Sequence, residues 1–168
     1  MSDRKGLFHP DHKNLAAAGS GISEDSLEEA ELAMSLQTGI DKRDKLAIIP
    51  RYLIVPSTLK KTARKAVMMP IVATNSEDTN PYMGEFEIIS EPILNDNSTT
   101  AWYMAADQMQ GIDMVEMAYL DGVREPMVEF RDGFDTFGMD IRASLDVGAK
   151  AIDYRGFYKN PGAAAPSN

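Results

Sequence analysis

A fold that mixes helices with strands around one core is predicted by three features of the sequence. Behind Ser23, the residues Leu27, Ala30, Ala33, Met34 and Ile40 trace an apolar stripe at helical spacing. At 46–67, LAIIPRYLIVPSTLKKTARKAV, a β-branched apolar run stops at a proline and gives way to a second helical pattern. From Met114 onward the chain reads as β-rich, and residues 139–147 alternate apolar and polar with period two, as a half-buried strand requires.

The 46–67 stretch is the part around which the rest is arranged. It predicts short strands at 46–49 and 52–55, closed by Pro50 and Pro56, which cannot donate to a ladder. Ser57 or Thr58 can then cap a helix carrying Leu59, Ala63, Ala66 and Val67 on one side, and Pro70 prevents its continuation. No Gly-rich phosphate loop and no nucleophile elbow follows the strand, so this topology carries no nucleotide or ester chemistry.

Taken in order, residues 1–21 have no sustained period and predict a loop or arm. Ser23 caps the first helix, with Glu24 and Asp25 at the positive end of its dipole and Ile22 and Leu27 as a hydrophobic staple; Ser26 with Glu29 is an alternative capping box, and Gly39 suits the position after the end. Residues 75–81 are a polar loop. Residues 85–89 alternate, placing Phe86 and Ile88 toward a core and the glutamates toward water, with Pro92 as terminator or edge marker. A turn at 95–100, a strand at 102–106 and a connection at 107–113 follow. Residues 114–120 and 123–130 flank Asp121-Gly122, which suits a two-residue hairpin turn. The chain turns again at 131–135, alternates over 139–147, breaks at Gly148 with 149–154 as a candidate extension, and ends in terminal coil from Asn160.

The 168 residues, 43% hydrophobic, can bury one sizeable core. A formal charge of −9 argues against a surface built to neutralise a phosphate backbone or an anionic membrane. Absence of cysteine excludes disulfides and thiol chemistry and fits a reducing compartment. Eleven methionines mostly serve as core gap-fillers, a residue type also used on adaptable contact surfaces. There is no 18-residue apolar run and no signal-peptide pattern.

Candidate chemistry is sparse. His9 and His12 are the only histidines, Pro10 opposes a helix between them, and no cysteine can complete a shell, so no metal site is expected. Asp107, Asp113, Asp121, Glu125, Glu129, Asp132, Asp135, Asp140 and Asp146 fall at turns or on the polar phase of strands, which gives solvated faces and no general acid–base pair. Lys60, Lys61, Arg64 and Lys65 form cationic i,i+4 pairs on one helix inside an acidic chain. They are too few, and lack interleaved aromatics, for a nucleic-acid patch; an exposed face meeting acidic residues of a neighbouring subunit accounts for them better than a merely solvated one. The stretch 154–159, with Arg155, Phe157 and Tyr158, resembles base-stacking sequences in composition, but without a positive groove its rings belong in a core or a subunit contact. No catalytic residue, metal or cofactor is expected, and the candidate subunit-contact residues are Lys60, Lys61, Arg64, Lys65, Arg155, Phe157 and Tyr158.

The segments IPRYLIVPSTLKKTARKAV, WYMAADQMQGIDMVEMAYLDGVREP and FDTFGMDIRASLDVGAKAIDYRGFYKNPG, in this order and spacing, resemble the carboxy-terminal part of major capsid proteins of tailed bacteriophages and prophages, in particular the Mu-like head-subunit branch with the Hong Kong 97 type of fold. LFHPDHKNLA and the helix after it resemble that family's segment ahead of the strand–Pro–helix unit, so the likeness covers about 7–162. The resemblance implies an α+β chain with an amino-terminal arm or loop at 1–21, a peripheral-domain helix at 22–44, an axial domain at 45–125, long strands returning to the peripheral domain at 126–160 and a flexible tail at 161–168. It implies a non-enzymatic head subunit that packs with other copies into hexamers and pentamers, with a scaffold or head protease as further partners, no specific nucleic acid and no membrane. Its place would be the virion capsid, and the bacterial host cytoplasm during assembly. Full-length relatives carry a long amino-terminal portion that precedes the point where this chain begins, so a truncated product or fragment, monomeric or weakly self-associating, is expected. The alternatives from other classes are a small acidic regulatory or ligand-binding module and a metal-dependent enzyme with paired carboxylates.

Overall fold

Ser23 lies in extended backbone and its hydroxyl accepts the Ser26 N–H, while the Ser26 hydroxyl accepts the Ser23 N–H at 2.9 Å. This reciprocal box starts α1 (Glu24–Ser35) and makes Ser26, read from sequence as an alternative cap, the inner partner of the first one. The helix stops short of Gly39. Leu36 is its C-cap, the Gln37 amide donates to the His12 and Lys13 carbonyls at 3.0 and 3.3 Å, and the Gln37 carbonyl takes the Leu46 N–H. These tertiary bonds pull the chain off the helical path, so Ile40, placed on the helix stripe by its spacing, is 90% exposed beyond the helix.

The computed structural model describes residues 3–69, 80–133 and 137–163. Pro70 as helix stop, the polar loop at 75–79, the turn at Phe134 and Asp135 and the tail from 164 lie outside the described residues. The chain divides into two units, Met1–Met114 with Asp153–Asn168, and Val115–Ile152.

In the first unit, β1 (Pro50–Pro56) is the strand of the 46–67 stretch, and 46–49 is not a strand as expected. Ala47 has a left-handed φ of 48°, and Ile49 finds a substitute for a strand neighbour: its N–H donates to the Gln110 side-chain oxygen at 2.9 Å and its carbonyl accepts from the Gln110 amide at 2.6 Å. A 3-10 turn (Ser57–Leu59) leads into α2 (Lys60–Met68). Neither Ser57 nor Thr58 caps it; the Thr58 hydroxyl donates to the Thr99 carbonyl at 2.8 Å instead. At the other end the Asn80 amide donates to the Ala66 and Met69 carbonyls and the Gly84 N–H to the Val67 carbonyl, closing carbonyls that a helix end leaves open.

α2 buries Ala63 and Val67 and returns the chain so that β2 (Glu87–Glu91) runs parallel to β1. The strand begins two residues later than the alternation suggests, with Phe86 buried just ahead of it and the glutamates exposed. A short helix α3 (Leu94–Asn97) precedes β3 (Trp102–Ala106), which pairs antiparallel with β1; β8 (Phe157–Asn160) pairs antiparallel with β3, giving the order β2-β1-β3-β8. The register sets Leu53 opposite Met104 and Met104 opposite Tyr158, a buried row across the sheet.

Residues 3–21 are irregular apart from a 3-10 turn (Pro10–His12), and they are packed. Leu15 forms a parallel bridge with Lys159, whose N–H and C=O bond Asn14 O and Ala16 N at 2.9 Å. Phe8 lies against Tyr103 and Phe157, with ring centroids 5.4 and 6.3 Å away. Two fully buried asparagines hold this segment. Asn14 donates to the Leu7 and Tyr154 carbonyls; Asn160 accepts from the Ser20 and Gly162 N–H groups and donates to the Ser20 hydroxyl, all at 2.9 Å. The Trp102 indole N–H donates to the Ser20 carbonyl at 3.0 Å. Backbones come so close here that a Cβ on Gly19 would sit 2.0 Å from the Gly162 carbonyl oxygen, and one on Gly162, at φ +81°, would sit 1.9 Å from that of Thr100.

The second unit is a ribbon of two antiparallel pairs: β4 (Val115–Tyr119) with β7 (Val147–Ala151), and β5 (Met127–Asp132) with β6 (Met139–Ser144). The hairpin expected about Asp121-Gly122 does not form. Both residues have positive φ, 51° and 74°, but they sit in a 3-10 turn (Leu120–Gly122), and their flanking strands pair elsewhere. A two-residue hairpin would mix charged and apolar side chains on both faces. The long-range pairing sorts them, with Val115, Met117, Tyr119, Val147, Ala149 and Ala151 on one face of the first pair. The run 139–147, read as one strand, is interrupted at Leu145 and Asp146, and Gly148, expected to break it, lies inside β7 opposite Ala118.

Asn160→Ala strands the Ser20 and Gly162 N–H groups, so urea unfolding is expected to show a loss of roughly 2–4 kcal/mol. Gly162→Ala should cost at least as much, and Ile40→Ala should leave the midpoint within error.

Candidate subunit-contact site

The free backbone donors at the start of a helix disfavour cations there, yet α2 carries Lys60 and Lys61 in its first turn and Arg64 and Lys65 in its second. The helix turns Ala63 and Val67 inward, which leaves these four side chains lining a shallow cleft with Ser57, Thr58, Met68 and Met69. The two methionines are 54% and 49% exposed. Among the described residues, none of the four cations lies within ion-pair distance of a carboxylate; the pairs present are elsewhere, such as Arg51 with Asp107 and Arg155 with Asp153.

The other three candidates lie apart in sequence and serve the fold. Arg155 donates to Asp153 at 2.9 Å, stacks over the Tyr154 ring at 5.3 Å, and holds its Nε buried without a partner. Phe157 is half-buried against Phe8. Tyr158 is 2% exposed, its ring 6.4 Å from Trp102, and burial, followed by the Glu29 charge, pushes its phenol up to about 12. Its hydroxyl ring is part of this chain's own core.

The histidines are structural too. His12 is buried, stacked on Tyr154 at 3.9 Å, with one ring nitrogen 2.6 Å from an Asp3 carboxylate oxygen and the other facing the Leu7 carbonyl at 3.2 Å. The His12 hydrogen bond holds the Asp3 carboxyl below its ordinary value. No group of His, Asp and Glu that could hold a metal ion occurs among the described residues.

Two surfaces escape a reading of the sequence. The first is acidic. Tyr82, buried and stacked on Phe86 at 5.6 Å, is pushed up to about 12 by burial and then by Glu31, Glu28, Glu85 and Glu24. Glu31 is itself held above the carboxylate range by burial and then by Glu85 and Glu28. Glu28 and Glu31 are one turn apart on α1, a visible signal, but only the fold brings Glu85 beside them. The second is the ribbon's apolar face. On the β5–β6 pair Val128, Phe130, Ile141 and Met139 share one side with Asp132 at its end, Phe130 being 64% and Ile141 65% exposed, while Glu129 pairs with Arg142 and Arg131 lies opposite Asp140 on the other side with Met127.

Cations and methionines thus lie together on one helix, carboxylates gather on a second surface, and the ribbon exposes apolar side chains. Residues 2–160 match a family model described as phage capsid protein. The chain belongs to that family. No curated protein and no solved structure matches it. Membership gives this capsid chain a structural role in a virion with other capsid subunits as partners, and its mixed helix-and-strand architecture is compatible with that. None of its helices among the described residues is long and apolar enough to cross a membrane.

Both buried tyrosines favour the neutral phenol in the folded state, with values near 12 against 10.0 for an unperturbed ring. Their contribution is therefore full below pH 10 and lost as pH rises toward 12. Circular dichroism against pH should show stability falling in that window, and Tyr82→Phe should flatten the fall.

Proposed function

We propose that this capsid chain is a head subunit of the Mu-like branch with the Hong Kong 97 type of fold, acting by packing against other copies in hexamers and pentamers of an icosahedral shell, without catalysis. The observation that supports the packing role is the ribbon: a strand pair that gathers Val128, Phe130, Ile141 and Met139 on one face, with Asp132 at its end, and leaves these apolar side chains in water suits a partner surface. In the shell, residues 45–125 form the axial domain, 22–44 and 126–160 belong to the peripheral domain, and 1–21 and 161–168 are an arm and a tail. The α2 cations Lys60, Lys61, Arg64 and Lys65 are contact residues toward a neighbouring subunit. Assembly takes place in the host cytoplasm, with a scaffold or head protease as auxiliary partners.

Heads purified on a density gradient from an induced host that carries the gene should contain peptides of this chain as a dominant component. Heads in which those peptides are missing or only at trace level would overturn the proposal. A paired change, Phe130→Ser with Ile141→Ser, should lower assembly into such heads while leaving the folding free energy within about 0.5 kcal/mol, since both positions are exposed.

A further inference from the structure

The first unit carries two surfaces of opposite sign, and neither is neutralised among the described residues. On one, Lys60, Lys61 and Arg64 stand on the outer side of α2 beside exposed Met68. On the other, Glu28 and Glu31 of α1 meet Glu85 from the loop before β2, beside exposed Met83. Lys65 and Glu24 line a separate cleft with Thr62 and Ala66, which Lys60, Lys61, Arg64, Glu28, Glu31 and Glu85 do not line.

Each surface is unfavourable alone. Three cations within two helical turns repel one another, and so do Glu28 and Glu31, one turn apart on α1, with Glu85 near them. Among the described residues no ion pair within one copy offsets either group. A contact between the two surfaces of different copies relieves both at once, and the exposed methionines add adaptable apolar area on each side. Because the two surfaces differ, such a contact is head-to-tail, the kind that propagates around a ring instead of closing a two-fold pair.

We infer that the outer face of α2, through Lys60, Lys61 and Arg64, docks on the Glu28, Glu31 and Glu85 surface of a second copy of this chain. This rests on the shell reading and names the edges that meet. The contact is weak in isolation, since exposed pairs contribute little each, and it weakens further with salt.

The test uses two variants of the full chain, K60E/K61E/R64E and E28K/E31K/E85K, each checked for native circular dichroism. Sedimentation at low salt, about 50 mM, should show wild-type self-association that falls about tenfold or more in either variant alone, because each then presents two surfaces of one sign. An equimolar mixture of the two should regain association, since the reversed helix of the first then faces the reversed surface of the second, and the native helix of the second faces the native acidic surface of the first. Carbodiimide coupling of a mixture of nitrogen-14 and nitrogen-15 chains should give mixed-isotope links between Lys60 or Lys61 and Glu28, Glu31 or Glu85. Association unchanged by either reversal, a mixture that fails to recover, links only to ribbon carboxylates such as Glu125 or Asp146, or a wild type that stays monomeric would each overturn the inference. The first three would leave the shell reading intact, whereas heads lacking the chain's peptides would remove the shell reading without touching this contact.

Discussion

The first unit depends on two buried amides. Asn14 and Asn160 are each fully enclosed and hydrogen-bonded, and together with the Trp102 indole they fasten residues 7–20 to the last strand of the sheet. A buried amide without partners costs more than an apolar group of its size, so these bonds work only in the one arrangement that fills them all. That arrangement sets Leu15 beside Lys159 on the open side of β8, where a bare edge would otherwise present unpaired N–H and C=O groups, and it brings Phe8 over Tyr103 and Phe157. The closure also explains why glycine occupies 19 and 162, where backbone rather than side chains makes the contact.

Where local sequence decides, the fold was legible. Ser23 and the aromatic, apolar run at 102–106 act through neighbours within a few residues, and α1 and β3 begin where those signals place them. The 46–67 stretch yielded a strand and a helix for the same reason. Errors arise where a distant group supplies what the local pattern lacks. Gln110, sixty-one residues away, bonds both backbone groups of Ile49 and removes the need for a strand there; Gln37 diverts the chain before Gly39. The packing of residues 3–21 was hidden as well, because its anchors are side-chain bonds to β8 without any period.

The contact surfaces divide along the same line. Four cations on one helix are legible because helical spacing fixes which residues share a face, and α2 presents them together. The acidic group is half legible: α1 gives Glu28 and Glu31, but Glu85 joins only through the return of the chain after α2. Tyr158 shows the opposite case. Its aromatic, basic neighbourhood is compatible with a surface or a core, and only the register with Met104 assigns it to the core.

The ribbon poses a different problem, because its sequence satisfies two pairings. Asp121-Gly122 adopts the positive φ values of a hairpin turn, so local preference is met, yet β4 pairs with β7 about thirty residues away and β5 pairs with the nearer β6. Loop closure over that distance costs only about 1–2 kcal/mol more than over a few residues. Sorting is the compensating gain: the distant register gathers Val115, Met117, Tyr119, Val147, Ala149 and Ala151 on one side and sets Glu116 against Lys150 on the other. That gain is small while the apolar side stays in water, since a two-stranded ribbon is marginal by itself, and it grows when another surface covers that side. Under the proposed packing role, the pairing adopted is the one that gains more when a second surface covers its apolar side.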